Sequence, residues 1–129
     1  LGVKGADAWN QIYRYYVSSD FADDTDGTTS ACGAVTPGVS FELCAAGSVI
    51  VLDAAGGNTV AADAIVAIVS EAKNYGASAS ADEAENRDND TVLVSHGYVS
   101  AAGSQYDDIV SWISPNILRA KMVSAGRLP

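Results

Sequence analysis

The apolar residues of this chain arrive in short runs, and that spacing limits the fold more than any other feature. "IYRYYV" (Ile12 to Val17), "VSFELCA" (Val39 to Ala45), "GSVIVLD" (Gly47 to Asp53), "TVLVSH" (Thr91 to His96) and "YDDIVSWIS" (Tyr106 to Ser114) are rich in β-branched and aromatic side chains and read as strands. Gly47 hinges the second and third runs, and "AAGGN", Ala54 to Asn58, marks a turn after the third. "ADAIVAIVSEAKN" fits a buried strand or an alanine-rich helix; its β-branched centre favours a strand from Ala64 to Ser70. In the last run Ile109 and Ile113 face one way, Val110 and Trp112 the other. One segment reads as a helix. "SPNILRAKMVSAG" has Ser114 at the N-cap, Pro115 at the first helical position and Gly126 as the stop. Ile117, Leu118, Met122 and Ala125 would form its apolar stripe, folded back on the sheet. The expected class is α+β, an antiparallel sheet with a short C-terminal helix.

A length of 129 residues suits one domain, and 48% hydrophobic against 18% charged residues suits a chain that folds. The formal net charge of -9 argues against nucleic acid and against docking on anionic lipid through a basic face. No apolar run approaches a membrane span, and no signal peptide is visible. The opening "LGVKGADAW", without methionine, is expected of a processed product or an excised domain.

Cys32 and Cys44 are separated by eleven residues that include Gly33, Pro37 and Gly38, so the segment can turn back on itself. A disulfide there would contribute about 3 kcal/mol by the chain-entropy argument and would place the domain outside the reducing cytosol. The alternative is two unrelated buried thiols.

The chain offers little for catalysis. His96 is the only histidine, and its neighbour Ser95 would point to the opposite face of a strand, away from any base. No G-x-S-x-G or phosphate loop is present, and Lys4, Lys73, Lys121, Arg14, Arg87, Arg119 and Arg127 are scattered. The chain therefore reads as a non-enzyme. Gly76 to Asp90 forms an acidic loop dense enough to supply oxygens to a hard cation, and Ala22 to Gly27 is a second acidic loop. The bland alternative for each is a solvated loop.

Two stretches carry a resemblance. "DAWNQIYRYYV", Asp7 to Val17, is similar to the D-x-W-G-x-x-Y-x-Y segment of type II secretion pseudopilins and related type IV pilin-like proteins. "YDDIVSWISPNILRAKMVSAGRLP" resembles the C-terminal end of a group of minor pilin-like proteins, while "AIVSEAKNYG" and "DEAENRDNDTVLVSHG" are similar to the strand and acidic loop of such heads. The likeness runs from about residue 6 to residue 129 and is specific at its ends. Asn10 departs from it, standing where the family usually has glycine.

The resemblance implies a pilin-like globular head spanning 1–129 as a single domain, without the N-terminal transmembrane and assembly helix. That helix would be removed from this polypeptide or carried by another. Such a head is a structural subunit of a type IV pilus-like or type II secretion filament. It is extracellular or periplasmic, anchored in a membrane before assembly, with copies of itself or other pilin subunits as partners. Trp9, Tyr13, Tyr15 and Tyr16 would then pack on the helical stem or a neighbouring subunit, and an apolar patch is expected where the stem is missing. The resemblance also implies calcium, with Asp82, Glu85, Asp88 and Asp90 as its ligands. The alternatives are a minor tip subunit that primes assembly or binds a ligand and, in another class, a small secreted carbohydrate- or peptide-binding module.

Overall fold

The computed structural model describes residues 5–22, 45–77 and 80–127. They form strands β1 (Arg14–Val17), β2 (Val49–Leu52), β3 (Thr59–Ala64) and β4 (Val66–Ser70), helix α1 (Ala81–Glu85), strands β5 (Val92–Val94) and β6 (Ile109–Ile113), and helix α2 (Pro115–Ser124). This is a mixed α+β arrangement. Two elements expected from the sequence, the strand at Val39 to Ala45 and the pair Cys32–Cys44, fall wholly or mainly outside the described residues.

The strands make two three-stranded sheets, β1-β4-β6 and β3-β2-β5. The first is antiparallel throughout: Tyr15 stands opposite Ile68, and Ile68 opposite Ser111. In the second, β2 pairs antiparallel with β3 but parallel with β5, Ile50 opposite Val92. The expectation of a purely antiparallel sheet is corrected by that pair. Parallel neighbours need a long crossover, and the chain from β3 through β4 and α1 supplies one.

The inner faces of the two sheets share one core. Val49, Ala64, Ala67, Val69, Leu93 and Val110 are buried together, with Tyr16 and Trp112 packed against them. Each buried Val or Leu contributes roughly 1.5–3 kcal/mol. Gly47 permits close approach of the segment entering β2, since a Cβ there would lie 1.8 Å from the Asp63 carbonyl oxygen.

Several elements differ from the sequence reading. β1 starts at Arg14, because Ile12 is taken into an isolated bridge with Ala6. β3, "TVAADA", was not expected, as alanine and aspartate favour strands weakly. Its pairing is set by the turn at Ala54–Asn58, where the Asp53 amide donates to the Asn58 carbonyl at 2.9 Å. α1 sits inside the expected acidic loop, with the Ser80 hydroxyl accepting from the Glu83 amide.

α2 begins and ends as the sequence indicates, with Pro115 in its first turn. At its end Gly126 has φ 64°. The Gly126 amide donates to the Val123 carbonyl and the Arg127 amide to the Met122 carbonyl, a Schellman closure. Its apolar stripe is not sealed against the sheet. Ile117 is 52% exposed, Ala125 is exposed, Leu118 and Met122 are only half-buried, and only Pro115 is buried. The helix follows directly from β6, an edge strand. Among the described residues no helix is long and apolar enough to cross a membrane.

Candidate functional site

The N-terminal segment is shaped by Asp7. Its Oδ1 accepts from the amides of Trp9 (2.9 Å) and Gln11 (2.8 Å), and its Oδ2 from the Ser70 hydroxyl on β4. Asn10 takes the left-handed conformation at φ 63°. Asparagine tolerates that region better than other non-glycine residues, so the turn forms without a glycine. The turn presents Trp9 outward, 46% exposed.

Strand alternation carries this exposure onto the first sheet. The register aligns Tyr15, Ile68 and Ser111, then Val17, Val66 and Ile113, on the outer face; Ile109, opposite Ser70, shares it. Tyr15 is 65% exposed, and Tyr13, Ile68, Ile109 and Ile113 are exposed as well. A groove of about 650 Å³ runs across the face between Trp9, Tyr13, Ile68 and Ile109. Of the four predicted aromatics, Trp9, Tyr13 and Tyr15 border this surface and Tyr16 does not. Tyr16 points inward, packs on the core, and donates to the Asn86 carbonyl at 3.5 Å.

At its end the inner face turns polar. Glu71, almost wholly buried, is held between Arg14 on β1 and Arg87 after α1; the Arg87 contact is 2.9 Å. Asn86 is fully buried. Its amide donates to the Val94 carbonyl (3.1 Å) and to Asp108 Oδ2 (2.9 Å), while its Oδ1 accepts from the Val94 amide (2.7 Å). The buried Tyr106 hydroxyl also donates to the Val94 carbonyl, at 2.6 Å, and burial pushes its pKa up to about 12.

The predicted cation ligands divide. Glu85, Asp88 and Asp90 converge, each offering an oxygen within 4.8 Å of the others. Burial, then the charges of Asp88 and Asp90, push the Glu85 carboxyl up. Asp88 and Asp90 each use one oxygen on a backbone amide, of Asp90 (3.0 Å) and Val92 (2.6 Å), and so keep a second for a ligand. Asp82 lies apart from this trio. It accepts from the Ala55 amide at 2.7 Å and faces His96 Nε2 at 3.1 Å, joining α1 to the β2–β3 turn. His96 also stacks on Tyr106, ring centroids 3.8 Å apart, and its Nδ1 donates to the Gly97 carbonyl. Neither ring nitrogen is directed at Ser95.

A second acidic trio, unforeseen from the sequence, is Glu83, Asp107 and Asp108. The "DD" was visible, but nothing local announced that Glu83 would meet it. The S-x-x-E pattern at Ser80–Glu83 does signal a helix start and so fixes where Glu83 sits. Both oxygens of Glu83 accept from the Asn74 side chain, at 2.8 and 2.9 Å. Burial above all pushes the Asp108 carboxyl up to about 6, reinforced by the charges of Glu83, Glu71 and Asp107; burial and Glu83 push Asp107 up too. Asp107 and Asp108 line a cleft of about 480 Å³ with Trp9, Lys73, Tyr98 and Ile109.

No family model matches the chain, and no curated protein or solved structure matches it either.

Proposed function

We propose that this chain is the globular head of a pilin-like filament subunit, a structural part whose work is assembly. The observation that carries this reading is the bare outer face of β1-β4-β6, where Tyr13, Tyr15, Ile68, Ile109 and Ile113 are exposed side by side. A contiguous apolar sheet face marks a surface meant to be covered. Its cover in this reading is an apolar helical stem, in cis or on another polypeptide, with Trp9 and Tyr15 as anchors. Other pilin subunits complete the partners, and the filament lies outside the cell or in the periplasm.

Calcium suits the exposed trio better than the buried one. Glu85, Asp88 and Asp90 would hold it beside α1, and the ion supplies charge neutralisation to carboxylates that otherwise repel. Melting with calcium and with a chelator measures this; an unchanged midpoint dismisses it.

The reading is tested by placing Ile68→Asp or Tyr15→Asp in the filament-forming, full-length protein. Loss of the subunit from sheared filaments, with unchanged melting of the isolated domain, is the expected result. Normal incorporation of both variants would overturn it. The acidic cleft beside Trp9 favours, within the same class, a subunit that also grips a ligand or partner at the filament tip.

A further inference from the structure

The cleft at Asp107 and Asp108 is built as a binding site. Its volume of about 480 Å³ is in the range of pockets that hold a small molecule or a long side chain. One wall is apolar, formed by Trp9, Ile109 and Val110, and Tyr98 stands beside it, 76% exposed. The floor is acidic. Asp108 is only 6% exposed, yet its Oδ1 has no hydrogen-bond partner; Asp107 Oδ1 is also buried without one. Both residues line the cleft, and buried carboxylate oxygens are normally paired, so two orphans there point to a missing donor.

The structure assigns this cleft, we propose, to an alkylammonium or guanidinium group: a lysine or arginine side chain carried by the segment that covers the outer sheet face. The carrier rests on the assembly reading; the site itself does not. Aromatic faces and carboxylates together are the usual surroundings of an organic cation. The apolar wall suits an alkyl stem and is wasted on a hydrated metal ion. Glu83 already accepts twice from Asn74, and Asp108 Oδ2 is taken by Asn86, which leaves few oxygens for a metal shell. The titratable groups facing the cleft are Asp107, Asp108, Lys73 and His96, with Glu83 alongside; Lys73 is exposed and His96 is occupied by Asp82. Trp9 and Ile109 border both this cleft and the groove on the sheet face, so a partner lying in the groove reaches the carboxylates by passing them.

The test is a titration of the isotopically labelled chain with n-butylammonium at constant ionic strength, followed by NMR at the Trp9 indole and the amides of Asp107 to Ile109. Saturable shifts at millimolar concentration are expected, with none from n-butanol, which has the same alkyl chain and no charge. Asp107→Asn should weaken binding about tenfold, and Lys73→Ala should tighten it about threefold by removing a competing cation. Absence of saturation, or equal shifts from butanol, overturns the proposal. So does calcium that saturates the same amides and resists displacement by butylammonium. Because the probe is a free amine, the result is independent of filament incorporation: the site can stand while the assembly reading falls, and the reverse.

Discussion

The two faces of the β1-β4-β6 sheet have similar composition and opposite fates. Inward, Tyr16, Ala67, Val69, Val110 and Trp112 meet the second sheet. Outward, Tyr15, Val66, Ile68, Ile109 and Ile113 meet nothing that buries them fully. An antiparallel sheet with one wet face normally alternates apolar and polar residues, whereas apolar runs on both faces belong to sheets covered twice. The outer face therefore carries the composition of a core without the packing of one. The inner face also differs at its ends. Along the same alternation it passes into half-buried Arg14 and buried Glu71 and Asp108, and the outer face of the sheet has no counterpart among the described residues.

Paired substitutions separate the faces most sharply. Val69→Asp buries an unpaired carboxylate and should cost more than about 4 kcal/mol, leaving the chain unfolded by circular dichroism. Ile68→Asp, one residue earlier, should stay within about 1 kcal/mol in urea titration. Equal losses would show that the outer face is packed after all. Next comes Glu71→Ala, which takes the buried carboxylate away from Arg14 and Arg87 and should cost about 3 kcal/mol by the same titration. A loss below about 1 kcal/mol would mean that solvent satisfies both arginines.

A smaller effect is expected from pH. The Asp108 carboxyl titrates at about 6 in the folded state. Unfolded, it titrates near pH ~4, so between those values the native state holds a proton that the unfolded chain has released. Its contribution is fully present below about pH 4 and is lost as pH rises through about 6, a decline of about 1–3 kcal/mol. Asp108→Asn should flatten melting temperature against pH in that window; an unaltered profile would remove Asp108 as the cause. The smallest effect is Ile117→Ser on α2, within about 0.5 kcal/mol by thermal melting, because that side chain is already half in water.

What the sequence made legible was local. Ser114, Pro115 and Gly126 located α2 because capping depends on neighbouring residues, and the alternation of Ile109, Val110 and Trp112 sorted β6 into its two faces. What escaped it was non-local. Tyr16 directly follows Tyr15 in an aromatic-rich run, and only the register with Ala67 assigns it to the core. Glu83 meets Asp107, and Asp82 meets His96, across segments whose separation carries no periodic signal. β3 was hidden because its alanines pair by position rather than by propensity.

The strand order has a consequence for how the chain matures. β4 is hydrogen-bonded on one side to β1, near the start, and on the other to β6, near the end, while β2 awaits β5 for its parallel neighbour. Neither sheet can close before strands far apart in sequence meet: Tyr15 and Tyr16 on β1 need β4, β4 needs β6, and β2 needs β5. Such long-range topology folds late and slowly. A chain of this kind lacks complete sheets for as long as its last strand is withheld.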